Sequence, residues 1–148
     1  MGQPELTISL NPHVKVITHE LPIDQTNAIP LLTPNDLLID CTDRPMTRYL
    51  LSDASVAIGI PLVSGAAISS AGQWAVYGGI TPKGKRRACY RCLWPRMVNA
   101  GGNDRCEELG VYGVVTGMVG TGMASEVIKV LLGNDGESLV ADTAGMAD

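Results

Sequence analysis

From Val14 to Leu21 (VKVITHEL) apolar and polar positions alternate, which is the period of a half-buried strand. Leu37 to Cys41 (LLIDC) is a short continuous apolar run whose end carries Asp40 and then Asp43, the pattern of a buried parallel strand with carboxylates at its C-terminal end. Leu50, Leu51, Ala54 and Ala57 then recur at helical spacing. Asp43 is the expected N-cap of that helix, Pro45 lies in its first turn, and Gly59 supplies the stop. Pro61–Ala66 (PLVSGA) and the run QWAVYG, opened by Gly72-Gln73 and ending at Gly78, read as two further strands. Gly79 to Arg87 is a loop, residues 95–110 are irregular, and a last long helix runs from about Tyr112 to Leu132 and stops at Gly133. The segment Pro22–Asn35 holds three prolines and is a poor place for a long helix.

Composition narrows this picture. Apolar residues make up 45% of the 148 and charged residues 18%, which is a folding composition sufficient for one domain. There is no Phe, and 17 Gly and 9 Pro are present, so the core is built from aliphatic residues with close backbone approaches. That favours a parallel α/β sheet over an aromatic-rich sandwich. The net charge of −4 argues against a general nucleic-acid binder. The start, MGQPELTISL, shows no secretory pattern, and a cytoplasmic location is expected. The uncharged stretch Leu109–Ser125 is 17 residues long with five glycines, so it is read as a buried or interface helix that falls short of a membrane span.

Several clusters could carry chemistry. Asp40-Cys41-Thr42-Asp43 sits just outside the carboxyl end of a strand, where open α/β sheets place their ligands. A carboxylate there can hold Mg²⁺ bridging phosphate oxygens, or Asp43 can simply cap the next helix; both readings stay open. Cys89 and Cys92 have the CxxC spacing of half a zinc site, and a redox pair is the rival reading. The flanking residues give that motif no clear helix N-terminus. Cys106 stands beside Arg105, ahead of the last helix, as a candidate nucleophile. His13 and His19 read as surface or satisfied strand histidines, and Lys83, Lys85, Arg86 and Arg87 as a solvated basic loop. Gly113, Gly117, Gly120 and Ala124 place small residues along the last helix, which lets another backbone approach closely, in the chain's own core or in a subunit interface.

Taken in order, LNPHVKV, LLIDCTDRPMTRYLLSDA, PLVSGAA, GQWAVY, CYRCLWP and CEELGVYGVVTGMVGTGMASEVIKVLLG resemble the ubiquitin-activating-type (ThiF- and MoeB-like) adenylyltransferases. The likeness is greatest to those that activate sulfur carriers for molybdopterin synthesis and tRNA thiolation, and it runs from about Leu10 to Gly133. It implies a Rossmann-like sheet holding ATP and Mg²⁺, and adenylation of the C-terminal glycine of a ubiquitin-like carrier protein. By the resemblance, Asp43 handles Mg²⁺ and the ATP phosphates. Arg44, where many relatives have Asn, and Arg48, at a basic family position, belong to the same nucleotide region. Cys89 and Cys92 match the first pair of structural zinc (Zn²⁺) ligands, and Cys106 matches the cysteine that captures the acyl-adenylate or takes part in sulfur transfer. A homodimer is implied, with no direct nucleic-acid or membrane partner.

The sequence contains no GxGxxG and no second CxxC. The expectation is therefore the C-terminal part of such a domain over residues 10–148, after an irregular N-terminus at 1–9. Its fold is expected to be α/β and partial Rossmann-like, with parallel strands, an antiparallel extension and a long C-terminal helix. Alone, the chain is expected to be inactive in adenylation. The alternatives are a non-catalytic carrier-binding or dimerisation fragment and a small zinc-binding module.

Overall fold

The protein is described from a computed structural model, in which residues 7, 9–95, 110–134 and 141–142 are described. A five-residue helix α1 (Ala28–Leu32) leads into strand β1 (Leu38–Asp40), helix α2 (Pro45–Ile58), strands β2 (Pro61–Ile68) and β3 (Ala71–Gly78), the single turn α3 (Tyr90–Leu93), the long helix α4 (Gly113–Leu131) and the two-residue strand β4 (Ala141–Asp142). The sheet order is β1-β2-β3-β4. β1 and β2 are parallel with Asp40 opposite Ser64, whereas β3 is antiparallel to both β2 and β4. The expected α/β class holds, with the parallel pair and its antiparallel extension in sequence order.

Strand alternation sorts the side chains between two layers. Leu62, Ala75 and Tyr77 face α2 and α3, where they meet Tyr49 and Tyr90. Val63 and Val76 face the other way, onto Val119 and Met123 of α4. Val115, Val119 and Met123 recur every four residues and form the buried stripe of α4. Glycine stands at the contacts between the helix and the sheet, where a side chain would not fit. A Cβ on Gly65 would strike Met123, one on Gly72 would strike Val119, and one on Gly122 would strike the Trp74 ring.

α2 begins and ends for readable reasons, with one correction. Its N-cap is Arg44, with no side-chain capping bond, and Pro45 opens the helix; Asp43 does not cap it. The helix stops at Gly59, which adopts φ +81° and donates its N–H to the Ser55 carbonyl. An alanine must adopt the left-handed region there, so Gly59→Ala is expected to lose about 1–2 kcal/mol in urea unfolding. A loss near zero contradicts this account of the stop.

One other expectation is overturned. VKVITHEL forms no strand: Val14, Ile17 and Leu21 are exposed, and no described strand pairs with this segment. Alternation signals a strand only where a layer exists to receive its apolar side. Residues 113–125 of the uncharged stretch belong to α4, whose 19 residues are, by length and composition alone, long and apolar enough to cross a membrane. Beyond its buried stripe, α4 leaves Val114, Met118, Ile128 and Leu131 exposed.

Candidate functional site

The site grows from the carboxyl end of β1. Asp40 is fully buried, and both of its oxygens are engaged. Oδ1 accepts from the Thr42 backbone N–H (2.9 Å) and the Thr42 hydroxyl (2.6 Å). Oδ2 accepts from Arg48 Nε (2.9 Å) and the Ser64 hydroxyl (2.8 Å). Arg48 Nη2 donates onward to the carbonyls of Thr42 and Gly65, each at 2.8 Å. One buried ion pair thus ties β1, β2, the Cys41–Asp43 turn and the start of α2 together. Its hydrogen-bond satisfaction is what makes burying the two charges tolerable.

This lock decides the roles of the two carboxylates. Asp40 has its lone pairs committed to the fold. Asp43, three residues past Asp40, is exposed, and no hydrogen bond or ion pair holds it among the described residues. Released from the expected capping role, its carboxylate stands at the edge of a cavity of about 610 Å³. Cys41, Thr42, Asp43 and Arg48 line one side of this cavity, and Val119 and Met123 of α4 line another. Between them the lining is small: Gly65, Ala66, Ala67, Ala71 and Gly72. The cavity therefore lies at the carboxyl ends of the parallel strands, where α/β sheets bind ligands. Arg44 is exposed and is not part of the lining.

The turn between β2 and β3 closes the cavity's rim. Ser69 has φ +52°, a conformation uncommon outside glycine. Its N–H donates to the Gly110 carbonyl (2.9 Å), and its own carbonyl accepts from the Tyr112 N–H (3.1 Å). These two bonds pin the entry to α4 beside the site. Cys106 and Arg105 lie outside the described residues.

Cys41 is exposed at the site, but burial of its sulfur first, and the Asp40 charge second, push its thiol pKa up against a smaller opposing effect of Arg48. It is a poor nucleophile. Cys89 caps the α3 turn, contrary to the expectation of no clear helix start, and its Sγ lies 3.4 Å from Cys92 Sγ. The hydrogen bond from Cys89 draws the Cys92 pKa down. No group of three or more potential metal ligands assembles among the described residues. His13, His19 and the basic residues Lys83, Lys85 and Arg86 are exposed, as expected of a solvated surface, whereas Arg87, expected with them, is half-buried and its Nη1 donates to the Gly78 carbonyl.

Sequence reasoning placed Asp43 and Arg48 in one region, and the structure brings both to one cavity. It missed Ser64 as a partner of Asp40, and it missed the lining residues Gln73 and Thr116. Glycine at position 65 inside a strand pattern was the available signal of a close approach there.

Comparison with known proteins places this chain in a family. The ThiF family matches residues 6–146. A sulfur carrier protein adenylyltransferase of Thermus thermophilus is 41% identical over 139 residues, covering 90% of this chain and 51% of that protein. The adenylyltransferase and sulfurtransferase UBA4 of Debaryomyces hansenii is 41% identical over 124 residues, covering 82% of this chain and 26% of its own length. The adenylyltransferase and sulfurtransferase MOCS3 of Culex quinquefasciatus is 42% identical over 127 residues, covering 86% and 28%. The chain thus spans about half the length of the Thermus protein (51%) and about a quarter of the other two (26% and 28%). With nearly all of its residues matched, and with a sheet, a carboxylate turn and a cavity in the order its sequence blocks predict, the chain belongs to the ThiF family.

Proposed function

We propose that this chain serves the ATP-dependent adenylation of the C-terminal glycine of a ubiquitin-like sulfur-carrier protein. The observation that carries the reading is the free Asp43 carboxylate at the edge of a small-residue cavity, at the carboxyl ends of β1 and β2, in a chain of the ThiF family. In this reading the carrier's terminal carboxylate attacks the α-phosphorus of ATP, and pyrophosphate leaves. The narrow floor formed by Gly65, Ala66 and Gly72 suits a slender glycine tail in an extended conformation.

One exposed carboxylate is a donor set that fits a magnesium ion, which completes its shell with phosphate oxygens and water. Asp43 would hold Mg²⁺ there, and the ion's chemistry is to neutralise phosphate charge. Arg48 acts as a positioning residue: it fixes the Thr42 carbonyl and so the turn that presents Asp43. Arg44, exposed one residue further on, would meet a phosphate from the solvent side. Cys106 would attack the acyl-adenylate carbonyl as a thiolate, releasing AMP and leaving a thioester. Zinc is different. Cys89 and Cys92 supply two thiolates, and a structural zinc site needs four ligands, which the described residues do not assemble.

ATP–pyrophosphate exchange with the purified chain and a carrier protein tests the catalytic part. No exchange is expected from the 148 residues alone, since they contain no glycine-rich phosphate loop. Robust exchange overturns that expectation. Carrier capture that ATP strengthens, and that Asp43→Ala reduces only when ATP is present, supports the enzyme reading. A second reading, a carrier-binding or homodimerising module, is favoured by the small stripe of α4: Cβ atoms added at Gly113, Gly117 or Gly120 would meet nothing within 4 Å. Carrier capture indifferent to ATP and to Asp43→Ala supports that reading.

A further inference from the structure

Charge is distributed unevenly along this chain. Residues 54–103 carry Lys83, Lys85, Arg86, Arg87, Arg91 and Arg96 and no acidic residue, while the rest of the sequence holds all 15 acidic residues against five cations. Two of the six serve the fold: Arg91 pairs with Asp53, and Arg87 donates to the Gly78 carbonyl. Lys83, Lys85 and Arg86 are exposed, and no ion pair holds them among the described residues. The loop that carries them is internally bonded. The Gly84 N–H donates to the Thr81 carbonyl (2.8 Å), the Thr81 N–H to the Lys85 carbonyl (2.8 Å), and the Lys85 N–H to the Thr81 hydroxyl (3.1 Å). Ile80 and Arg86 close it as an antiparallel bridge. Ile80 is 69% exposed, and α4 ends beside the loop: a Cβ added at Gly133 would lie 3.9 Å from Pro82, and the preceding Leu132 is 67% exposed.

We propose that the loop from Ile80 to Arg86 is a docking surface for an acidic protein segment, in which carboxylates meet Lys83, Lys85 and Arg86 and apolar side chains meet Ile80 and Leu132. An apolar centre inside a charged rim is the make-up of a protein interface. Three unpaired cations on one short loop repel one another in the free chain, and carboxylates relieve that repulsion. The loop's own hydrogen bonds hold its backbone, so docking costs little ordering. A nucleic acid fits less well. Residues 79–87 contain no aromatic ring to stack a base, phosphates gain nothing from Ile80, and the rest of a chain of net charge −4 repels an extended polyanion. A short acidic segment touches the loop alone. The surface is also separate from the cavity. Ala71, Gly72 and Gln73, which line the cavity, begin β3, whereas the loop follows Gly78 at its other end, roughly 20 Å along the strand. A segment docked on the loop leaves the cavity open.

The test titrates the full chain against three labelled probes matched in charge: a short peptide alternating Glu and Leu, an oligoglutamate and a single-stranded oligothymidylate. Fluorescence anisotropy reads affinity, and backbone amide shifts map the contact. The Glu–Leu peptide is expected to bind about tenfold more tightly than either other probe, through its apolar contacts, and to weaken as salt is raised. The shifts are expected at residues 80–86 and not at Asp43 or Gly65. Ile80→Ser is expected to lower the peptide to the level of oligoglutamate, and Lys83→Glu, Lys85→Glu and Arg86→Glu made together to abolish binding. All four positions are exposed, and circular dichroism confirms that the variants keep the fold. The proposal is overturned if oligothymidylate or oligoglutamate binds as tightly as the Glu–Leu peptide, or if no probe binds. It is also overturned if the charge-reversed chain still binds the peptide, or if the shifts map to the cavity.

Discussion

Arg48→Ala is expected to destabilise the domain by about 3–5 kcal/mol, because it strands the fully buried Asp40 carboxylate without its cation. Against a typical total of roughly 5–15 kcal/mol, that is enough to leave a large unfolded fraction at ordinary temperatures. Urea denaturation followed by circular dichroism reads the change. Arg48→Lys keeps the charge but not the planar fork that reaches Asp40, Thr42 and Gly65 together, so it is expected to recover only part of the loss. The double variant Asp40→Ala, Arg48→Ala is expected to cost less than the two single losses added, since it leaves no unpaired buried charge. A single-variant loss under about 1 kcal/mol, in the range of an exposed pair, refutes the lock as described.

The second large effect lies on the same face of the sheet. Leu62 is fully buried among Tyr49, Tyr77 and Tyr90. Leu62→Ala is expected to cost about 2–5 kcal/mol, through the lost transfer of apolar surface and the void left behind. The upper part of that range is favoured here. The three rings brace one another edge to face and Tyr90 is bonded to Ser52, so the surroundings cannot collapse into the gap. Ile39, one residue beyond Leu38 on the edge strand, is 48% exposed, and its truncation is expected to stay within about 0.5 kcal/mol. Comparable losses at the two positions in the same urea experiment contradict this packing.

What could be read from the sequence follows from where each signal originates. LLIDC, the α2 periodicity with its Gly59 stop, and the β2 and β3 runs carry their information locally, and the structure has all of them. So does the long last helix, whose end at Leu131 lies one residue short of expectation. The errors came where a partner decides. VKVITHEL has the strand period but meets no sheet edge among the described residues. Asp43 has the chemistry of a cap, yet the helix starts after Arg44, and the turn is set instead by Asp40 and Arg48, eight residues apart. No local pattern announces that pairing, because Ser64 and the Gly65 carbonyl complete it from another strand. The CxxC motif offered no clear helix N-terminus because its helical turn is held by Tyr90 in a distant ring cluster. Arg48 was singled out through family resemblance alone and Asp43 through spacing as well, and both line one cavity. Cys106 lies outside the described residues.

The glycines under α4 also constrain how this sequence can drift over generations. At each of them one small volume is shared between two positions, so the residues there are free to change only in pairs. Gly122 is the most tightly coupled. Alanine is the better helix former by about 1 kcal/mol, yet its methyl group would enter the rigid Trp74 indole, so position 122 can enlarge only if position 74 shrinks. Gly72 is bound in the same way to the stiff branched side chains of Val115 and Val119. Gly65 is bound both to the flexible end of Met123 and to the stiff branched side chain of Val119. Related sequences are therefore expected to show correlated exchange at 74 and 122, and weaker correlation of 72 and of 65 with 119.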